Sequence, residues 1–140
     1  MSEVTEEKTE LVLPSRIESI EEAAVKAAQV AERLGIDEAA MFGIDLAVRE
    51  AVTNAVKHGN KLDETKNVSV SFRSSTDVFV ITVIDQGAGF NPVDVPDPTD
   101  PQNLLKSSGR GIFFMRNFMD EVEWGKMSEG GTIVRLVKKL

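Results

Sequence analysis

Hydrophobic residues recur along the chain at two different spacings, and the change of spacing separates predicted helices from predicted strands. From Ile17 to Ala31 they follow one another at intervals of three and four, which predicts an amphipathic helix closed by Gly35. Asp37 is a suitable N-cap for a second helix, which is expected to run to Gly59 and Asn60, a strong helix-stop signal. The apolar stripe of this second helix is expected to pack on a sheet.

The segment before the first helix carries a helix-start signal. Ser15 and Glu18 match the capping box S-x-x-E, in which each side chain satisfies a free backbone amide. Residues 10–14 (ELVLP) are predicted to form a brief strand, and the charged residues 1–9 are expected to be a flexible tail. Residues 10–140 are expected to form a single domain.

After the second helix the hydrophobic period changes to two. Apolar residues alternate with polar ones over 68–72, and 78–84 is a mostly apolar run rich in β-branched residues, so both segments are predicted strands. Residues 87–111 hold four glycines, and 92–101 holds four of the five prolines. This density predicts one long loop, and loops of such length are usually functional.

The order of elements predicts the fold class. A helix at about 110–120 follows the loop, and strands at 122–124 and 132–137 complete the chain. We therefore expect a two-layer α/β sandwich, with helices on one face of a mixed, largely antiparallel sheet.

Composition narrows the possible functions. The 140 residues include 16 Lys and Arg against 23 Asp and Glu, a net charge of −7, which disfavours binding to nucleic-acid phosphates. The absence of cysteine excludes disulfides, thiol catalysis and zinc–thiolate sites. No apolar run approaches the roughly 20 residues of a membrane span, and the acidic start does not suit a signal peptide. We expect a cytoplasmic protein without membrane or direct nucleic-acid partners.

Polar residues on the second helix form the first candidate site. Glu50, Asn54 and His58 follow one another at steps of four, so they are predicted to occupy one narrow stripe beside the apolar face. Such a stripe could line a pocket, although polar residues at this spacing also occur on solvated helix flanks.

Three glycine-containing segments form further candidates. Asp85 directly follows the apolar strand and opens Asp-Gln-Gly-Ala-Gly, where glycines let backbone approach a ligand and leave amides free to donate. Gly-Arg-Gly at 109–111 opens the next helix, where exposed amides favour an anion, and Gly-Gly-Thr at 130–132 joins the last two strands. Taken singly, each is also what an ordinary turn provides. The P-loop, the dinucleotide fingerprint and G-x-S-x-G are all absent from the sequence.

The order of these motifs makes them specific. An acid and an amide on a helix (REAVTNAVKHGN), D-x-G-x-G after a strand (DQGAGF), a long loop, G-x-G and a late G-T together resemble the GHKL ATPase superfamily, which has the Bergerat, histidine-kinase-like fold. Within it the chain most resembles the anti-sigma-factor serine/threonine kinases of the RsbW and SpoIIAB type, over roughly residues 10–138.

The resemblance implies roles at both ends of a bound ATP molecule. Asp85 would accept the adenine amino hydrogen, with Thr132 sharing a water at the same edge. Asn54 would coordinate the Mg²⁺ that bridges the phosphates, and Glu50 would be the general base that deprotonates the attacking hydroxyl. Residues 90–108 would form a lid. The other implied site residues are the loop hinges Gly87 and Gly89, the phosphate or ribose contacts Lys57 and His58, the phosphate contacts Gly109 and Gly111, and Arg110, directed at the γ-phosphate or a partner.

The resemblance also implies a function and partners. The protein would phosphorylate a serine or threonine of a STAS-type anti-sigma-factor antagonist with ATP and Mg²⁺, and it would sequester a sigma factor. A homodimer is expected, because relatives commonly dimerise through the face that contains the first strand and first helix. The alternative is a nucleotide-binding regulatory module that captures protein partners without phosphoryl transfer. A detached histidine-kinase catalytic domain fits less well, because His58 lies inside the nucleotide motif.

Overall fold

The computed structural model describes residues 7–87, 115–128 and 130–140. Its elements in chain order are β1 (Glu7–Pro14), α1 (Glu18–Arg33), α2 (Glu38–Thr53), a π-helical segment (Asn54–Gly59), β2 (Asn67–Ser74), β3 (Val78–Ile84), β4 (Glu121–Lys126) and β5 (Thr132–Lys139).

The five strands form one sheet in the order β1-β2-β3-β5-β4, and all four described pairings are antiparallel. Buried and partly exposed residues alternate along β3, so one face of this strand points into the core. The register pairs Ile84 at the end of β3 with Ile133 near the start of β5. Asp85 and Thr132, the next residues outward on each strand, are therefore neighbours.

The two helices cover one face of the sheet. The side chain of Asp37 accepts a hydrogen bond of 2.8 Å from the Ala40 amide, as expected of an N-cap. Gly35 has a φ of +72°, the left-handed conformation that ends α1. Arg49 on α2 pairs with Glu21 on α1 at 2.7 Å and ties the helices together. The predicted two-layer α/β sandwich is confirmed. The largest fully buried side chains of its core are Phe72, Phe79, Ile44, Ile81, Met115, Leu136, Val48, Val52, Val56, Val68, Val70 and Val83.

The first strand is longer than the sequence predicts. It begins at Glu7, so residues 7–9 belong to β1 and not to the tail. Pairing with β2 continues out to Glu7 opposite Ser74, because ladder hydrogen bonds involve the backbone and tolerate polar side chains. Residues 1–6 lie outside the described part of the chain.

The predicted capping box is wrong. The N-cap position of α1 is Ile17, whose side chain makes no cap hydrogen bond. Ser15 is instead fully buried, and its hydroxyl donates to the Lys66 carbonyl at 2.6 Å. The fold brings the Lys66 carbonyl within reach of the Ser15 hydroxyl, which therefore bonds to that carbonyl and does not cap the helix.

The second helix does not continue as a regular α-helix to Gly59. α2 ends at Thr53, and residues 54–59 form the π-helical segment, in which the Asn60 amide donates to the Ala55 carbonyl at 2.8 Å. Hydrogen bonds of the i→i+5 type widen the turn, and such insertions are frequent at functional sites.

The later strands confirm the predicted order of elements. β4 and β5 contain the strands predicted at 122–124 and 132–137. Of the helix predicted at 110–120, the described residues 115–118 are helical. The lid predicted at 90–108 lies outside the described residues. Within the described ranges, no helix is long and apolar enough to cross a membrane.

Candidate functional site

Asp85 lies where the ends of three elements meet. It follows β3 directly and is only 3% exposed. Its Oδ1 accepts hydrogen bonds from the backbone amides of Gly87 at 3.1 Å and Thr132 at 3.0 Å. Its own amide donates to the Thr132 carbonyl at 3.0 Å. The carboxylate is therefore held rigidly between the end of β3 and the start of β5.

Two glycines allow backbone to close around this carboxylate. A Cβ atom placed on Gly59, the last residue of the π-helical segment, would collide with the Asp85 carboxylate. A Cβ atom on Gly87 would collide with the Gly59 carbonyl. No other residue fits at either position without movement of the backbone or the carboxylate. The site thus has two halves. The helical half is the end of α2 with the π-helical segment, and the sheet half is the end of β3 with the start of β5. Gly59 is the point at which they meet.

The carboxylate of Asp85 can accept a hydrogen bond from a further donor. Burial raises the pKa of Asp85, while the hydrogen bonds from Gly87 and Thr132 and the positive charge of Lys66 partly oppose this effect. Both amide donors reach Oδ1, and among the described residues no hydrogen-bond donor reaches Oδ2. A buried acceptor of this kind is suited to a ligand that brings its own N–H group.

The helical half contributes an acid and an amide. Asn54 begins the π-helical segment and is 5% exposed. Its side chain makes no hydrogen bond with any other described residue. Glu50, one turn earlier, is half-buried. Burial raises the pKa of Glu50 and the positive charge of Lys57 lowers it, with a net rise. A carboxylate whose pKa is raised towards neutrality is a better proton acceptor at physiological pH.

The predicted stripe of three residues is wrong in its last member. His58 and Lys57 are exposed, whereas Asn54 is buried. The stripe assumed regular α-helical geometry, but the wider turns of the π-helical segment shift the residues that follow Asn54 around the axis. His58 and Lys57 lie on the solvent-exposed side of the segment.

Asn54 has the chemistry of a magnesium ligand. An amide oxygen is a hard donor, and Mg²⁺ takes only one or two protein ligands when phosphates and waters complete its shell. In the described ranges, no group of three or more His, Asp or Glu side chains could hold a metal ion. Asn54 therefore fits Mg²⁺ delivered together with a phosphate ligand.

The structure thus brings together Asp85, Gly87 and Thr132, and it places Glu50 and Asn54 on the helix that leads to them. Gly59 and Asn60 were recognised in the sequence only as a helix stop, although close contact with Asp85 gives Gly59 a role in the site. The remaining predicted residues, Gly89, Gly109, Arg110 and Gly111, lie outside the described residues.

A comparison with protein families agrees with a nucleotide site at this place. The histidine kinase-like ATPase domain family matches residues 13–138. The chain belongs to this family. The family is one of ATPase domains, which implies ATP as the ligand, and the resemblance predicted from the order of motifs is confirmed.

Named relatives place the chain more closely within the family. The anti-sigma F factor of Heyndrickxia coagulans is 39% identical over 105 residues, which cover 71% of this chain and 70% of the relative. The serine-protein kinase RsbW of Bacillus licheniformis is 34% identical over 117 residues, covering 79% of this chain and 72% of the relative.

Two solved structures share the fold of this chain. The structure of the RsbU and RsbW domains of Rv1364c from Mycobacterium tuberculosis matches 96% of this chain with a TM-score of 0.70 at 19% identity. The match covers 32% of that longer chain. The mycobacterial sensor histidine kinase MprB matches 96% of this chain and 97% of its own, with a TM-score of 0.57 at 14% identity.

Proposed function

We propose that this protein is an ATP-dependent serine/threonine protein kinase and anti-sigma factor. It would phosphorylate a serine or threonine of a STAS-type anti-sigma-factor antagonist and would sequester a sigma factor. The observation that carries the nucleotide site is the buried Asp85 carboxylate, held by two backbone amides on one oxygen and packed on Gly59. The names of the relatives, anti-sigma F factor and serine-protein kinase RsbW, support the protein partners. Residues 10–140 would form the single ATP-binding kinase domain.

The adenine end of the site would be built on Asp85. Its carboxylate would accept a hydrogen of the adenine amino group, and Thr132 would share a water at the same edge. The backbone of Gly87 packs against the Gly59 carbonyl, where a Cβ atom would collide, and it would lie close to the base. Gly89 would complete this hinge.

The phosphate end would be built on Asn54 and the exposed residues that follow it. Asn54 would hold Mg²⁺, which supplies neutralising charge to the phosphates when bound. Lys57 and His58 would contact phosphate or ribose from the solvent side. Further phosphate contacts are proposed for Gly109, Arg110 and Gly111.

Glu50 would act as the general base. Its carboxylate would take the proton of the substrate hydroxyl as the hydroxyl oxygen bonds to the γ-phosphorus. The bond between that phosphorus and the β–γ bridging oxygen breaks, and ADP leaves. The half-buried position and raised pKa of Glu50 support this role. A module that only captured partners would need no such base, and the names of the relatives do not favour that alternative.

The protein is further proposed to act as a homodimer in the bacterial cytoplasm. Support comes from three large apolar side chains on or beside the first strand and first helix, which are about half exposed or more: Val12, Ile17 and Val25. A second subunit bound at the first strand or the first helix would cover such exposed apolar side chains.

The kinase proposal is tested by direct phosphoryl transfer. The protein is incubated with ATP, Mg²⁺ and antagonist proteins encoded beside it, and phosphoserine and phosphothreonine are located by mass spectrometry. We expect one antagonist residue to be phosphorylated and the unmodified antagonist to release a bound sigma factor. Nucleotide binding without any transfer to an antagonist would favour the partner-capture module instead.

A further inference from the structure

The side chain of Asn60 joins the two halves of the site. Asn60 follows Gly59 and is 1% exposed. Its Oδ1 accepts a hydrogen bond of 2.8 Å from the Gln86 amide, and Gln86 follows Asp85. Its Nδ2 donates to the Ser15 hydroxyl at 2.7 Å and to the Asn67 carbonyl at 3.0 Å. The buried side chain of Asn60 therefore connects the end of the π-helical segment to Gln86, the residue that follows Asp85.

We propose that Asn60 is a positioning residue, which sets the Asp85 carboxylate at the place where adenine is recognised. The Gly59–Asp85 contact is tight enough to exclude a methyl group, so a small displacement of either residue moves the carboxylate relative to the base. The hydrogen bond from the Gln86 amide fixes the peptide beside Asp85 against the π-helical segment. This inference rests on the proposed function, because it requires adenine as the ligand of Asp85.

Only an amide side chain satisfies this position. Asn60 uses both hydrogens of its amino group and its carbonyl oxygen at the same time. An aspartate would lack both donors and a leucine would lack all three bonds. Because the site is buried, each lost partner leaves a polar group unsatisfied. A buried network in which every member is satisfied holds its elements in one arrangement.

The other side of the network is anchored away from the ligand. The Ser15 hydroxyl donates to the Lys66 carbonyl at 2.6 Å. At the end of the network beside Asp85, the Gln86 side-chain oxygen accepts from the Asn67 amide at 2.6 Å. Ser15 lies between β1 and α1, and among the described residues it makes no hydrogen bond with Asp85, Gln86 or Gly87. Ser15 therefore offers a matched control, since its loss weakens the same network at the end remote from Asp85.

The test compares Asn60→Ala with Ser15→Ala. Calorimetry measures the affinities of each variant and the native protein for ATP·Mg²⁺ and for inosine triphosphate with Mg²⁺, which has an oxygen in place of the adenine amino group. We expect the native protein to prefer ATP by about tenfold or more, as one hydrogen bond to a charged acceptor provides. Asn60→Ala should lose most of this preference. Ser15→Ala should keep it, although both variants unfold at lower denaturant concentration.

The outcomes separate the inference from the proposed function. A native protein without preference for ATP overturns the nucleotide proposal and this inference together. A native protein that prefers ATP, with an Asn60→Ala variant that keeps the same preference, overturns only the role of Asn60.

Hydrogen exchange supplies a measurement that needs no variant to fold. In the native protein the Gln86 amide should exchange slowly, because it donates to buried Asn60, and more slowly still with ATP bound. Exchange of the Gln86 amide as fast as that of an exposed turn amide would show that Asn60 does not hold this peptide.

Discussion

Asp85→Asn is expected to weaken ATP binding by about a hundredfold while the protein stays folded. The ionised carboxylate only accepts hydrogen bonds, whereas asparagine would turn an N–H group towards the adenine amino group. Loss of a hydrogen bond to a charged acceptor costs about 1.5–3 kcal/mol, and opposed donors add to that loss. Titration calorimetry with ATP and Mg²⁺ measures the effect.

The stability of this variant provides an internal control. Asparagine Oδ1 can still accept from the amides of Gly87 and Thr132, so the local fold is retained. Burial raises the pKa of Asp85 because it penalises the charged carboxylate, and a neutral side chain carries no such penalty. Asp77→Asn, in the exposed turn between β2 and β3, is the matched substitution and should bind ATP normally. Native affinity in Asp85→Asn would show that adenine does not bind there.

Glu50→Gln is expected to retain ATP binding and to lose phosphoryl transfer. Removal of a general base costs about 10²–10⁴ in rate, and glutamine keeps the shape of the side chain without its proton affinity. Because the pKa of Glu50 is raised by burial, replacement by a neutral residue should also not lower stability at pH 7. The rate of phosphoserine formation on the antagonist and the affinity for ATP are measured side by side.

A substitution at a second glutamate distinguishes the loss of a catalytic base from the loss of one negative charge. Glu32 on α1 is exposed and lies outside the proposed site, so Glu32→Gln removes the same charge from the surface. This variant should transfer phosphate at the native rate. Equal rates in Glu50→Gln and the native protein would remove Glu50 from the mechanism, and equal losses in both variants would point to a general effect of charge.

The parts of the fold set by local pattern could be predicted from the sequence. Alternation over 68–72 identified β2, and the side chain of Asp37 caps α2 as expected. The resemblance implies that Asp85 and Thr132 lie at the same edge of the site, and the two residues are hydrogen-bonded in the fold because β3 ends where its antiparallel neighbour β5 begins.

The features that depend on distant partners could not be predicted. Ser15 has the spacing of a capping box, yet its partners Lys66 and Asn60 lie 51 and 45 residues away. The π-helical segment has no distinct hydrophobic period, since one widened turn shifts only the residues after Asn54. Asn60 looked like a helix stop because its role comes from Gln86, 26 residues further along the chain.

The most direct test of the account is to locate the nucleotide in solution. An NMR titration of the native protein with ATP and Mg²⁺ follows backbone amide and asparagine side-chain signals. We predict the largest shifts, among the described residues, at the Gly87 and Thr132 amides and at the Asn54 side chain. The opposite face of the sheet has a competing groove lined in part by Arg73 and Arg135. Shifts confined to that groove, or no shifts at saturating ATP, would contradict the nucleotide site proposed here.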